Sequence, residues 1–160
     1  MNYSYLQYVD YELTQYAKTN NIEICYIDTK IPMYISLENG HYIGIKGNYF
    51  GELIWIKAHE LGHFATKTIA PKGKSSKYMI AFNEIMANLW ALNKLKLLNY
   101  AESNHSKRQI KSLVKEIGLP SIVSDWIILF KKYDFSISIQ FINRVRRVIE
   151  RYKKLQQNLE

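Results

Sequence analysis

Two histidines in the segment IKAHELGHFAT (residues 56–66) are the residues in this sequence best suited to chemistry. The surrounding pattern is helical, and side chains four positions apart on an α-helix point only ~40° apart. His59 and His63 can therefore reach one ion. Glu60 points ~100° away from His59, so it flanks that ion without binding it. This is where a general base must lie to take a proton from a metal-activated water.

A catalytic zinc ion needs a third protein ligand and one position left for water. The metzincin pattern would supply a histidine at position 69 after a glycine at 66, but this chain has Thr66 and Ile69 there. The next apolar segment offers Glu84, with 20 residues between it and His63. That gap accommodates a loop and a helix that folds back antiparallel to the first. The predicted zinc ligands are His59, His63 and Glu84.

Two polar residues accompany Glu84 in a segment otherwise rich in Ile, Met, Leu and Trp. Asn88 follows one helical turn later, so it could accept the free ring N–H of His59 or His63. Such a bond fixes the tautomer and orientation of a metal ligand. Asn83 precedes Glu84 directly, and we expect it to flank the site.

Two simpler interpretations compete with a catalytic zinc site. The histidines could be surface residues of an amphipathic helix, or the metal could have only a structural role. The glutamate at the right distance argues against the first interpretation. Glu60 argues against the second, because a structural zinc site fills its coordination shell with protein ligands and needs no base.

The motifs HELGH (59–63) and NEIMAN (83–88) resemble the ImmA/IrrE-type metallopeptidases, which are cytoplasmic, gluzincin-like proteins of bacteria, phages and mobile elements. The resemblance covers residues 20–100 well and the tail only loosely. It implies a zincin-like core that holds Zn²⁺ and uses Glu60 as catalytic base. Gluzincins often have Asp where Asn88 stands, which implies weaker polarisation of the histidine here. The resemblance also implies a substrate, a helix-turn-helix repressor whose cleavage derepresses a phage, a mobile element or a stress regulon.

Hydrolysis of a peptide also requires a donor to the oxyanion and a surface that holds the substrate. Three residues are candidates for the donor by position only, although a place at the core rim or on the surface explains each of them better: Tyr78, Tyr100 and His105. Zincins commonly bind the substrate as an additional strand at a sheet edge. The segment HYIGIKG (41–47) leads to the zinc helix, and we predict that it forms this edge.

Hydrophobic periodicity predicts the elements that must position these residues. The predicted strands cover 22–30, 33–37 and 41–46, the last two joined by a hairpin turn at Asn39-Gly40. The predicted helices cover 3–19, 51–68, 76–99, 106–117, 120–133 and a final stretch from about 136, with Gly118 ending the fourth. Strands and helices are segregated along the chain, which indicates an α+β fold with a small three-stranded sheet.

The composition suits a globular protein, with 48% hydrophobic and 22% charged residues in 160. The single cysteine, Cys25, excludes an internal disulfide scaffold. The N-terminus lacks the features of a signal peptide, and no apolar run is long enough to span a bilayer. We therefore expect a cytoplasmic monomer. It should consist of a zincin-like core (1–100) and a helical, helix-turn-helix-like region packed on it (101–160).

The net charge of +8 is concentrated in the last third of the chain. Residues 1–100 have 10 Lys or Arg against 8 Asp or Glu, whereas residues 101–160 have 12 against 6. Such a surface is usually just solvated, although it can also contact nucleic acid or an acidic partner. The apolar run Trp126–Phe130 predicts that the second helix of the helix-turn-helix-like region is buried and does not read bases.

Two functions from different classes remain. The first is a zinc endopeptidase that acts on a protein substrate and has no specific affinity for nucleic acid. The alternative is a DNA- or repressor-binding regulator with a vestigial zinc site. Glu60 separates them, because a hydrolase requires this base and a binding module does not.

Overall fold

The computed structural model describes residues 3–27, 33–37, 40–68 and 77–133, together with residues 144, 145, 147, 151 and 154. Nine elements follow one another in this part of the chain: α1 (Tyr3–Thr19), β1 (Ile22–Tyr26), β2 (Met33–Leu37), β3 (Gly40–Ile45), α2 (Phe50–Ala65), α3 (Lys77–Lys94), α4 (Asn99–Glu102), α5 (Lys107–Ile117) and α6 (Ser121–Tyr133). The predicted α+β class is confirmed, since a small sheet precedes a mostly helical remainder.

The three strands form one sheet in the order β1-β3-β2. β3 pairs with β1 in parallel, from His41 opposite Ile22 to Ile45 opposite Tyr26. On its other side β3 pairs with β2 in antiparallel register, from Gly40 to Gly44. The prediction that residues 41–47 form the free edge is therefore wrong. Both sides of β3 are occupied by neighbouring strands, and the edges belong to β1 and β2.

The sheet supports α2 through one face of β3. Side chains alternate between the faces of a strand, so His41 shares a face with Ile43 and Ile45, both fully buried. The His41 ring meets the Phe64 ring of α2 edge-on, with their centroids 5.0 Å apart. This contact sets the C-terminal half of α2, which carries both motif histidines, against the sheet.

Close contacts hold α2 on its other sides. A Cβ atom at Gly62 would lie 2.5 Å from the Ala87 carbonyl oxygen, so the absence of a side chain lets α3 approach. At the start of α2, a Cβ at Gly51 would clash with the Gly118 carbonyl oxygen. Lys57 is 4% exposed, and its ammonium group pairs with Asp10 of α1. A buried charge needs such a partner.

The helix ends explain where the predicted boundaries differ from those observed. α2 stops before residue 68 because Lys67 adopts a left-handed φ of 54°, and α3 stops before 99 because Lys96 does so at 50°. α5 begins with a capping box of Ser106 and Gln109 and ends at Gly118, with φ of 89°, as predicted. The short helix α4 was not predicted. The predicted helix from 136 lies largely outside the described residues, although residues 144, 145, 147, 151 and 154 are helical.

One hydrophobic cluster extends through the described elements, from Leu6 in α1 to Phe130 in α6 and Val145 beyond it. α6 is buried along most of its length, and its buried residues are Ile122, Val123, Ser124, Trp126, Ile127, Leu129 and Phe130. The sequence-based prediction that this helix serves packing is confirmed. Within the described residues, no helix has the length and apolar character needed to cross a membrane.

Candidate metal centre

The structure brings His59, His63 and Glu84 together, as the sequence predicted. Their potential ligand atoms all lie within 4.8 Å of one another, and the three residues could hold a metal ion. The two Nε2 atoms are 3.2 Å apart. The Glu84 carboxylate oxygens lie 3.4 Å from Nε2 of His59 and 3.5 Å from Nε2 of His63. α2 supplies the two imidazoles and α3 supplies the carboxylate across the Gly62 contact.

Asn88 determines the tautomer of His59. Its amide nitrogen donates to the Glu84 carbonyl oxygen at 2.6 Å, which turns the amide oxygen towards His59. That oxygen lies 3.1 Å from Nδ1 of His59. Because an amide oxygen can only accept, Nδ1 must carry the proton and Nε2 presents a lone pair to the cluster. The hydrogen bond predicted for Asn88 is present, with His59 as its partner.

Thr68 has the corresponding position beside His63, and the sequence did not reveal it. Its hydroxyl lies 3.3 Å from Nδ1 of His63 and 2.8 Å from the hydroxyl of Thr66. Thr66 in turn donates to the Gly62 carbonyl oxygen at 2.7 Å. The residue that serves His63 thus comes from just beyond the end of α2. Only its distance of five positions from His63 could have indicated it.

The cluster has the chemical character of a cation site. His59 directs a lone pair at the neighbouring imidazole, and both Nε2 atoms face a carboxylate. Without a proton or a cation between them, these acceptors repel one another. A tetrahedral ion with ligand distances of 2.0–2.1 Å separates its ligands by ~3.3 Å, and the 3.2 Å between the two Nε2 atoms is close to this value. Glu84 turns one carboxylate oxygen toward each imidazole. Two imidazoles and a carboxylate suit zinc, whereas calcium takes six or more oxygen ligands at longer distances.

The pKa of His63 reflects the anionic surroundings of the cluster. Burial lowers this pKa, but the hydrogen bond and charge of Glu84, the charge of Glu60 and a hydrogen bond with Thr68 together raise it above the usual value. The site therefore attracts positive charge strongly enough to overcome the cost of burying it. The negative charges that favour the proton on His63 would also attract a metal cation, which must displace that proton to bind.

Glu60 lies beside the ligand cluster but does not belong to it. Its side chain is 7% exposed, and its charge acts on His63. The described residues offer three groups to the ion, His59, His63 and Glu84. Three protein ligands would leave a tetrahedral ion one position for another molecule. Glu60 thus lies near His63 and outside the set of three groups that could hold an ion.

Asn83 is buried next to Glu84, as the predicted flanking role requires, with 8% of its surface exposed. In the described part of the chain, however, the hydrogen bonds to the imidazoles come from Asn88 and Thr68. Asn83 is therefore a buried neighbour of Glu84 in the sequence, and it makes no hydrogen bond with the ligand residues described here.

Two of the three predicted oxyanion donors, Tyr100 and His105, lie away from the metal centre. The rings of Tyr100 and His105 pack together with centroids 5.2 Å apart, and His105 bonds to Ser103. Tyr100 acts on Tyr5, which donates to the Leu95 carbonyl at the far end of α3. Eleven residues of helix separate that point from Glu84, or about 16 Å. These two candidates are wrong, because α3 carries them away from the site. The side chain of Tyr78 lies outside the described residues.

Comparisons with protein-family models, with curated proteins and with solved structures found no match.

Proposed function

We propose that this protein is a zinc-dependent endopeptidase with a zincin-like core. The observation that supports this most directly is the separation of roles among four residues. His59, His63 and Glu84 converge on one point, while Glu60 is buried beside them and outside their cluster. A structural site has no use for a second carboxylate that is buried next to the ligands.

The proposed roles follow from the chemistry of each side chain. When bound, zinc lowers the pKa of a water molecule toward ~7 and polarises the peptide carbonyl. Asn88 and Thr68 keep the ring nitrogens of His59 and His63 turned toward the ion. Glu60 accepts a proton from the attacking water and returns it to the nitrogen of the leaving amine. Its burial excludes competing water from this transfer.

The resemblance to ImmA/IrrE-type metallopeptidases supports a protein substrate, and a helix-turn-helix repressor is the substrate class we propose. A substrate could lie in extended form along a sheet edge and gain main-chain hydrogen bonds there. Since β3 is central, such an edge would be β1 or β2. The proposed cleavage would derepress a phage, a mobile element or a stress regulon.

The experiment that tests this function compares two variants. Glu60→Gln should retain one zinc per chain and the same melting temperature but lose about 10²–10⁴-fold in peptide hydrolysis, because an amide cannot accept the proton. His63→Ala should lose both zinc and hydrolysis. Metal content is measured by elemental analysis and hydrolysis with a quenched fluorescent peptide library.

Either of two results would remove the proposal. Wild-type protein without stoichiometric zinc under metal-replete conditions would exclude the metal centre. Glu60→Gln protein that cleaves at the wild-type rate would exclude the mechanism and favour a regulator with a vestigial site.

A further inference from the structure

A groove of about 660 Å³ lies at the junction of α5, α6 and the start of α2, away from the metal centre. Its rim carries Lys111, Lys115 and Arg151, and its floor is formed by Val114, Gly118 and Leu119. We call this feature the basic groove. Its size falls within the range of sites that enclose a small ligand or a few residues of a peptide.

The cations of the rim are available to a partner. Lys111 and Lys115 are exposed and one helical turn apart on α5, and no carboxylate of the described residues pairs with either. Arg151 is held at the rim by Asp125 of α6. The groove thus combines two uncompensated charges with a third that a neighbouring carboxylate partly neutralises.

Two rows of basic residues each contribute to the lining of this groove, the first through Lys111 and Lys115 and the second through Arg151. On α5 the row is Lys107, Arg108, Lys111 and Lys115, all exposed. Beyond α6 the row is Arg144, Arg147, Arg151 and Lys154, which are exposed and helically spaced. Oppositely charged surfaces accelerate association and select partners. The convergence of both rows on one concavity indicates a partner that is anionic over an extended length.

Apolar atoms at the floor and wall of the groove indicate a protein partner. Val114 and Leu119 form part of the floor, and the ring of Tyr49, 45% exposed, stands at its side. A nucleic acid backbone offers no side chain for such a floor. The helix that could have entered a major groove, α6, is buried along most of its length. The pocket therefore favours a peptide segment with carboxylates on both sides of an apolar residue.

We propose that the basic groove binds an acidic segment of the protein substrate, separate from the segment that is cleaved. Tyr49 directly precedes α2 and His59 follows ten residues later, so the groove and the metal centre are about 15 Å apart along the helix axis. A substrate held at both points would be bound more tightly than by either alone. The role as a substrate-docking site rests on the proposed peptidase function, whereas the binding of an acidic segment does not.

The binding experiment uses Glu60→Gln protein, so that cleavage cannot interfere. The probes are a fluorescently labelled short peptide of repeating Glu-Glu-Leu, the corresponding Glu-Glu-Ser peptide and a short random DNA duplex. The double variant Lys111→Glu/Lys115→Glu is compared with Lys18→Glu/Lys132→Glu, which reverses two exposed lysines elsewhere. Each Lys→Glu substitution lowers the net charge by two, so both double variants lower it from +8 to +4.

The expected result is selective. The Glu-Glu-Leu peptide should bind more tightly than the Glu-Glu-Ser peptide, and the groove variant should lose roughly tenfold in affinity, because two attractions become repulsions. The control variant should lose less than half as much in free energy. Equal losses in both variants would show that only net charge matters and would overturn the proposal. Tighter binding of the duplex than of either peptide, lost with the groove lysines, would overturn it in favour of a nucleic acid partner.

A second measurement separates this proposal from the proposed function. Library peptides carrying a Glu-Glu-Leu tail should be hydrolysed by the wild type with a lower KM than tail-free peptides. The groove variant should lose that advantage and cleave tail-free peptides normally. If no peptide is cleaved but the tail still binds in the groove, the proposed peptidase function is wrong and the proposed binding of an acidic segment is retained. If cleavage occurs without any benefit from the tail, the docking role fails alone.

Discussion

At the scale of single residues, the metal centre depends on hydrogen bonds that reach the far side of each imidazole. Asn88 forces the proton of His59 onto Nδ1, because the same amide donates to the Glu84 carbonyl and can only accept from the ring. Thr68 likewise accepts from Nδ1 of His63, because Thr66 gives its only hydroxyl proton to the Gly62 carbonyl oxygen and must take the proton of Thr68. The bond from Nδ1 is 3.1 Å long to Asn88 and 3.3 Å long to Thr68, so Asn88 should matter more than Thr68.

Replacing Asn88 with Ala should weaken zinc binding by about 10–100-fold, since the bond that fixes the ring of a ligand is lost. Asn88→Asp is the matched comparison: it keeps an acceptor for Nδ1 but loses the donor to the Glu84 carbonyl oxygen, so it should retain more affinity than Asn88→Ala. Thr68→Val should cost less than Asn88→Ala. Competition with a chromophoric chelator measures all three affinities. Unchanged affinity in Asn88→Ala would contradict the assignment of the tautomer.

At the scale of elements, the distance between α2 and α3 decides whether Glu84 reaches the histidines. Gly62 sits where the two helices are closest, with the Ala87 carbonyl oxygen 2.5 Å from the position of a Cβ atom. A backbone carbonyl cannot rotate away as a flexible side chain can. Gly62, the glycine of the HELGH motif, thus has a packing role. Whether its replacement by alanine raises or lowers the free energy of unfolding tests this role.

Gly62→Ala should lower the free energy of unfolding by roughly 1–2 kcal/mol. Alanine stabilises a helix by about 1 kcal/mol relative to glycine. Overpacking of a core costs about 1–3 kcal/mol, and a clash with a backbone atom should cost an amount near the upper end of that range. Zinc affinity should fall too, as Glu84 moves away. Ser112→Ala, at an exposed position of α5, controls for helix propensity and should be neutral or stabilising. Urea denaturation distinguishes the cases, and a more stable Gly62→Ala would disprove the close approach.

α1 is joined to the end of α3 by Tyr5, whose hydroxyl donates to the Leu95 carbonyl. Burial, together with the nearby Tyr100, raises the pKa of Tyr5 from 10.0 to about 12. The folded protein therefore holds the phenol proton more tightly than the unfolded chain does. This contribution to stability is complete below pH 10 and disappears as the pH rises through about 12.

Tyr5→Phe should cost about 1 kcal/mol of stability at neutral pH, the value of one hydrogen bond. The difference between wild type and Tyr5→Phe should shrink as the pH rises above 10, because only the wild type loses the bond by ionisation. Denaturation in urea at neutral and alkaline pH measures this difference. A difference that grows with alkalinity would show that the phenol is not held in its neutral form.

At the scale of the whole molecule, the uneven distribution of charge along the chain determines how the protein binds polyanions such as DNA. The excess of cations lies in residues 101–160, yet α6 presents its apolar residues to the core. We expect binding to DNA only in the ~10⁻⁴–10⁻⁶ M range at physiological salt, equal for unrelated sequences and steeply weakened by salt. Fluorescence polarisation with several duplexes measures this. Tight, sequence-selective binding, retained after removal of zinc, would instead favour the regulator.

The sequence by itself determined the parts of this protein that depend on local geometry. The relative direction of His59, Glu60 and His63 follows from the pitch of a helix, whatever surrounds it. The extent of α5 and its end at Gly118 follow from a capping residue and a left-handed turn. Even Glu84 could be predicted, because a loop and one helix that folds back leave few other positions for a third ligand.

Only the tertiary structure decided which distant groups are neighbours. β3 lies at the centre of the sheet because β1 pairs with it from a separate part of the chain, and no pattern within 41–47 reveals that strand order. Tyr100 and His105 are near Glu84 in sequence, but α3 extends in a straight line and carries them to its other end. Thr68 reaches His63 only because the chain turns back at Lys67. Strand order, helix direction and contacts after a turn depend on how separate segments pack together. The periodicity within one segment does not indicate which other segments it will contact.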